Sequence, residues 1–200
     1  MGKIFCLMGK SATGKDSIYR ELFARKNLDI KSIIPYTTRP MRDGEVDGRE
    51  YFFCTQEQVE ELEAQGKIIE LRAYHTVHGV WKYFTVDDGQ IQLQNHNYLL
   101  IGTLEMYLNI REYFGKDVVL PIYIEVEDGE RLMRALGRER EQEVPKYAEM
   151  CRRFLADDAD FSEKNLIAAD VKNRFENTDL NHTIEMVEAY IRREVESLAN

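Results

Sequence analysis

The sequence predicts an α/β fold, a parallel sheet flanked by helices, on three observations. Short apolar runs alternate with segments of helical periodicity from the first residues onward, and such alternation builds parallel strands covered on both faces. The first apolar run, KIFCLM (3–8), meets a glycine-rich turn and then a helix-spaced set, Ile18, Leu22 and Phe23, so strand, loop and helix come in that order. The chain has 200 residues, enough for one sizeable core with small insertions.

The elements follow in turn. DIKSII (29–34) reads as a second strand ending at Pro35, after which Asp43-Gly44 and Asp47-Gly48 mark a charged, turn-rich segment. REYFF (49–53) reads as a short strand, QEQVEELEAQ (56–65) as a helix stopped by Gly66, and KIIELRAY (67–74) as a strand. Residues 35–86 are therefore expected as an insertion between core segments 1–34 and 87–200. The core resumes with a strand over NYLLIG (97–102), a helix over LEMYLNIREYF (104–114), a strand over VVLPIYIEV (118–126) and a helix opening at Asp128. The charged stretch GREREQEVP (137–145) follows. A helix around 146–158, a strand candidate near 167–172 and a last amphipathic helix carrying Ile184, Val187, Ile191, Val195 and Leu198 complete the chain.

Charge and composition exclude several classes. With 27 basic and 36 acidic residues the formal charge is −9, which argues against nucleic acid or an anionic membrane as the main partner. Any anion must be captured locally. Cys6, Cys54 and Cys151 have no metal-ligand spacing and read as thiols of a reducing compartment. His75, His78, His96 and His182 form no recognisable metal or nucleophile set. No signal peptide or membrane-length apolar run is found, so a soluble cytoplasmic protein is expected.

Between strand and helix, Gly9 to Lys15 reads GKSATGK, the GxxxxGK frame of a P-loop NTPase-type phosphate cradle. Gly9 and Gly14 let the amides of Ser11, Ala12 and Thr13 turn toward one anion, the following helix presents its positive end, and Lys15 reaches the outer phosphates. The next position usually carries a hydroxyl for Mg²⁺. Here it is Asp16, also a hard oxygen ligand, with Ser17 offering a displaced hydroxyl; Asp16 is equally compatible with simple stabilisation of the first helical turn.

The second informative stretch is TTRPMRDGEVDGREYFF (37–53), in which Arg39 and Arg42 flank Pro40 and Met41 as guanidinium forks suited to a phosphate. Tyr51 can add a hydroxyl donor, and the same arginines can instead pair with Glu45, Asp47 and Glu50. GKSATGKDS followed by this segment resembles the guanylate kinase family, whose pattern is a glycine loop and then TTRxxRxGExxGxxY, and the spacing from Arg39 through Arg42 and Glu45 to Tyr51 matches without a gap.

The resemblance implies an enzyme that moves the γ-phosphoryl of ATP, with Mg²⁺, to GMP or dGMP, acting as a monomer or homodimer. It implies that the insertion holds the monophosphate through Arg39, Arg42 and Tyr51, with Glu45 in the same motif, and that Glu70 reads guanine. Tyr83 and Thr85 resemble the family's tyrosine and hydroxyl pair, here separated by Phe84 where the family has glycine. LLIGTLE (99–105) stands where the family has a DxD strand end, which leaves Glu105 as the only nearby carboxylate, and Pro35 stands for a serine. The resemblance further implies a mobile lid over 137–153 whose Arg138 and Arg153 stabilise the transferring group. Asn173 or Asn177 corresponds to an asparagine near the adenine, and Trp81 reads as packing. Two alternatives stay open: ribose 1,5-bisphosphate phosphokinases share the GKDS loop, and some guanylate-kinase-like domains are noncatalytic binding modules.

Overall fold

The computed structural model describes residues 1–25, 28–76 and 79–196. Leu198 of the predicted last helix and His78 lie outside the described residues. The core is a five-stranded parallel sheet in the order β2-β7-β1-β8-β9, formed by β1 (Ile4–Met8), β2 (Ile30–Ser32), β7 (Asn97–Gly102), β8 (Val119–Glu125) and β9 (Arg174–Glu176). All five residues of β1 are buried, as a central parallel strand covered on both faces requires. Alternation divides them: Phe5 and Leu7 pack with α1 (Lys15–Ala24) and α7 (Leu180–Glu196), through Ile18, Leu22, Ile184, Val187 and Ile191. Ile4, Cys6 and Met8 face the other layer, α3 (Leu104–Phe114) and α6 (Glu163–Ala168), through Met106, Tyr107, Ile110 and Leu166. Strand β1 lies between β7 and β8, and the chain runs to opposite sides of it; this switch point opens a crevice beyond the strand's C-terminal end, where the glycine loop begins.

A second, mixed sheet in the order β4-β3-β6-β5 comprises β3 (Tyr36–Thr37), β4 (Phe52–Phe53), β5 (Ile68–Thr76) and β6 (Gly79–Val86). One face is apolar: Tyr36, Phe84 and Leu71 pack with Val86 against Val59 and Leu62 of α2 (Gln56–Ala64). Helix α2 starts in a capping box, with Thr55 accepting from the Gln58 amide while the Gln58 side chain accepts from the Thr55 amide. Phe84, where the resembled pattern has glycine, fills this small core and stacks on Tyr36.

Two expectations are corrected and two strands are added. The strand placed near 167–172 is wrong: Ser162 precedes α6 there, and the edge strand is β9, which pairs with Tyr123–Glu125. A short apolar run such as Leu166–Ala169 does not by itself distinguish helix from strand. The helix opening at Asp128 is α4 (Asp128–Arg140), which runs into the charged stretch, and α5 (Tyr147–Asp160) returns after a six-residue connection over 141–146. The strands β3 and β6 were not anticipated.

Candidate active site

The loop from Gly9 to Lys15 is shaped for close approach. A Cβ on Gly9 would lie 2.7 Å from the Ile124 carbonyl oxygen, and Gly14 has φ +86° with Asn177 Nδ2 2.6 Å from where its Cβ would be. Ala12 also takes a left-handed conformation, φ 67°, which costs an L-residue about 1–2 kcal/mol. Thr13 is buried and donates its hydroxyl to the Lys10 carbonyl, while its own carbonyl accepts from Asn177 Nδ2 at 2.8 Å. Asn177 thus holds the loop, and Asn173 instead bonds Tyr190. Helix α1 begins at Gly14 with no side-chain cap, so its N-terminal amides and positive dipole end are open to an anion. Lys15 forms no ion pair among the described residues. Two expected donors are corrected: the Ser11 amide donates to Asp157 Oδ2 at 2.6 Å and the Thr13 amide to the Lys10 carbonyl at 3.4 Å, so neither turns to an anion here. The open helix terminus and Lys15 fit the phosphates of a nucleotide.

Asp16 is exposed in the first turn of α1, and Ser17 accepts weakly from Arg20 at 3.4 Å. Among the described residues no group of three or more His, Cys, Asp or Glu side chains could hold a metal. The donor set therefore suits an ion that arrives with phosphate oxygens, to which Asp16 or Ser17 adds one ligand.

The polar face of the second sheet gathers most of the acceptor-side residues. Cross-strand partners share a face, and the pairs Glu70↔Thr85, Arg72↔Tyr83, Tyr74↔Trp81 and Thr37↔Tyr83 put these side chains together. Tyr51 and Tyr74 each meet Tyr83 edge-on, with centroids 5.7 and 5.6 Å apart. Arg39 is only 4% exposed, and its guanidinium lies 5.0 Å from the Tyr51 ring centroid and 5.4 Å from that of Phe53. It donates from Nη1 and Nη2 to the two Glu45 oxygens at 2.7 and 2.5 Å, and Glu45 also accepts from the Arg42 amide at 2.8 Å. These bonds pull the Glu45 carboxyl down to about 2. The Arg42 side chain is exposed and has no ion pair among the described residues.

Glu70 is also committed. Its side chain is fully buried, accepts from Thr85 Oγ1 at 2.9 Å and pairs with Arg72 at 3.0 Å. Arg72 donates a longer bond to Thr103, the N-cap of α3. Arg72 is the residue that sequence reasoning missed, and the period-2 spacing from Glu70 was the signal available for it. Glu105 does not join this set: it is exposed and lines another cleft with Tyr74 and Asp160.

Two clefts bring the parts together. One, of about 800 Å³, is lined by Ser11 of the loop, Arg42 of the acceptor segment, Trp81, and Arg138 and Arg153 of the α4–α5 hairpin. Arg138 and Arg153 are exposed; Arg153 lies 3.7 Å from Glu149, and Arg138 has no ion pair among the described residues. The other, of about 490 Å³, places Asp16 with Tyr51 and Thr85 above Leu100, Ile101 and Met106. Ser11 of the glycine loop thus shares one cleft with Arg42, and Asp16 of α1 shares the other with Tyr51 and Thr85.

Comparison with known proteins bears on the family and the fold. The family model described as Guanylate kinase matches residues 1–194. Guanylate kinase of Streptococcus mutans serotype c (strain ATCC 700610 / UA159) is 38% identical over 73 residues, and that of Streptococcus pneumoniae (strain ATCC BAA-255 / R6) is 40% identical over 73 residues. Each match covers 36% of this chain and 35% of the relative, so the likeness spans about a third of the length of these curated proteins. The crystal structure of guanylate kinase from Anaplasma phagocytophilum superposes with TM-score 0.63 at 21% identity, covering 96% of this chain and 86% of that one, a likeness of fold. No helix among the described residues is long and apolar enough to cross a membrane. By the match of the family model along nearly its whole length, the chain belongs to the guanylate kinase family.

Proposed function

We propose that this chain is an ATP-dependent phosphotransferase that moves the γ-phosphoryl of ATP to the phosphate of GMP or dGMP, yielding ADP and the diphosphate. The observation that carries the reading is the single cleft in which the glycine loop, Arg42, Arg138 and Arg153 meet. Phosphoryl transfer between two anions asks for alignment, exclusion of water and charge neutralisation, and little covalent chemistry from the protein. Gly9 through Ser17 seat the donor phosphates, with Lys15 on the outer ones. Arg42, Tyr51 and the Nε edge of Arg39 seat the acceptor phosphate, and Glu45 fixes Arg39 for that task. Arg138 and Arg153 neutralise the transferring group as the acceptor oxygen approaches phosphorus and the bond to ADP breaks. A Mg²⁺ ion carried by the nucleotide, held through Asp16 or Ser17, would screen the phosphate charges.

In this reading residues 1–34 and 87–200 form the kinase core, 35–86 the monophosphate-binding insertion and 137–153 a lid that closes over the substrates. The protein works in the cytoplasm as a monomer or homodimer on small molecules, without nucleic acid or membrane. One observation favours a second acceptor. Arg72 and Thr85 occupy the Glu70 carboxylate that would read guanine, and Arg72 adds a cation to the same face, which suits a sugar bisphosphate. A coupled ADP-release assay with ATP, Mg²⁺ and GMP, dGMP, AMP, IMP or ribose 1,5-bisphosphate separates these readings. Turnover with GMP or dGMP supports the first and turnover with the bisphosphate alone the second. Silence with every acceptor refutes both and favours a binding module.

A further inference from the structure

The peptide at Ser11, in the middle of the phosphate loop, is gripped from both sides by the α4–α5 hairpin. Asp157 Oδ2 accepts from the Ser11 amide at 2.6 Å, and Arg131 Nε donates to the Ser11 carbonyl at 3.1 Å. Arg131 is fully buried, stacks 4.5 Å from the Phe154 ring centroid and pairs with Asp128 and, at 3.5 Å, with Asp158. Asp158 also takes Lys10 Nζ at 2.6 Å, so the neighbouring loop side chain is held by the same helix. The next loop residue is Ala12, whose left-handed conformation persists only where its surroundings impose it.

The anchors stand in register with the candidate charge-stabilising arginines. Arg153 precedes Asp157 by one helical turn on α5, and Arg138 follows Arg131 by two turns on α4, so anchor and arginine share a face of each helix. A second tie runs from Thr13 through Asn177 to Arg134 of α4. Hairpin and loop peptide are therefore tied at several points.

We propose that Arg131, Asp157 and Asp158 are positioning residues that couple the seat of the donor phosphates to the placement of Arg138 and Arg153. This rests on the phosphotransferase reading, but it is testable apart from it. Asp157 is the residue to vary: its side chain is 20% exposed, and although it also lies 3.8 Å from Arg131 Nη2, the buried guanidinium keeps Asp128 and Asp158 when Asp157 is removed.

The experiment compares Asp157→Ala, Asp157→Asn, Arg153→Ala and the Asp157→Ala/Arg153→Ala pair, with Arg152→Ala as a surface control. Binding of the β,γ-imido analogue of ATP is followed by calorimetry, and kcat and KM are measured with the best acceptor of the panel. Losing one charge-assisted bond to the loop should raise the analogue Kd and the KM for ATP about tenfold in Asp157→Ala and lower kcat, leaving the KM of the acceptor unmoved. Asp157→Asn keeps an acceptor for the Ser11 amide and should recover most of the loss. The double variant should lose no more kcat than Arg153→Ala alone. Parental analogue affinity in folded Asp157→Ala, failure of Asn to rescue, or fully multiplicative kcat losses would each overturn the proposal. A parent that turns over no acceptor yet binds the analogue would sink the phosphotransferase reading, and the binding comparison of Ala with Asn would still decide the coupling.

Discussion

Removing Glu45 tests how the acceptor face is held. The carboxylate takes both terminal nitrogens of Arg39 and the Arg42 amide, and the Arg39 side chain is 3% exposed, so Glu45→Ala strands a buried guanidinium. Stranding one member of a buried pair costs about 3–5 kcal/mol. Two terms reduce this: Arg39 keeps its bond to the Pro40 carbonyl and its contacts with the Tyr51 and Phe53 rings, and the Glu45 side chain is 17% exposed, which lets water reach the gap. A net loss of about 2–3 kcal/mol is expected, which at about 2–4 °C per kcal/mol for a chain of this size lowers Tm by roughly 4–12 °C. The pH dependence has a definite sign. Glu45 is shifted from 4.5 to about 2, so its contribution is present above its unfolded value and lost as pH falls toward the folded one. Thermal melts followed by circular dichroism should show a constant gap between parent and variant from neutral pH to about pH 5, narrowing below 4.5. Equal Tm values at pH 7, or a gap that widens on acidification, would refute the account.

Other substitutions read separate parts of the site. Arg138→Ala and Arg153→Ala should each lower kcat by about 10²–10³ while leaving the Kd of ATP within a few fold, as for loss of a transition-state charge donor; unchanged turnover in both removes them from the chemistry. Asp16→Ser should make nucleotide binding less dependent on Mg²⁺, because a carboxylate beside the phosphates repels them when no cation intervenes. Identical metal titrations of variant and parent would show that Asp16 serves the helix terminus alone. Arg72→Ala uncovers Glu70, and if guanine is read there the ratio of GMP to AMP turnover should rise several-fold; a ratio that stays put places recognition elsewhere.

The sequence made the parallel core and the glycine loop legible because both are local: buried runs, helical spacing and the GxxxxGK frame depend on neighbours within a few residues. NYLLIG and LEMYLNIREYF appear with the bounds expected. The edge strand β9 was not legible, since its three residues carry only Phe175 as an apolar signal and its pairing with β8 is a tertiary fact. Strands β3 and β6 escaped notice for a related reason. Tyr36–Thr37 is two residues long, and Gly79–Val86 acquires its alternation only once Phe84 is turned toward α2 and Tyr83 away from it. The acceptor motif announced Arg39 and offered Glu45 as one of three carboxylates it could pair with; that Glu45 alone takes both terminal nitrogens is a fact of the folded loop.

What separates the arginines is burial, and burial cannot be read from spacing. Arg39, Arg72 and Arg131 are deeply covered and each is matched to carboxylates, whereas Arg42 and Arg138 stand exposed with no ion pair among the described residues. A guanidinium already desolvated and paired gains little from a further anion unless that anion replaces or extends its existing bonds, while an exposed one has its charge still to satisfy. The first group therefore shapes surfaces first: it sets the Glu45 corner, from which only the Nε edge of Arg39 is left for an acceptor, closes Glu70 and fixes the Ser11 peptide. In the proposed reading the second group meets phosphate directly. Sequence motifs that treat all arginines alike merge these two duties, and the division between them decides that a substitution in the first group should move stability together with acceptor choice or donor affinity, whereas one in the second should move turnover with stability unchanged.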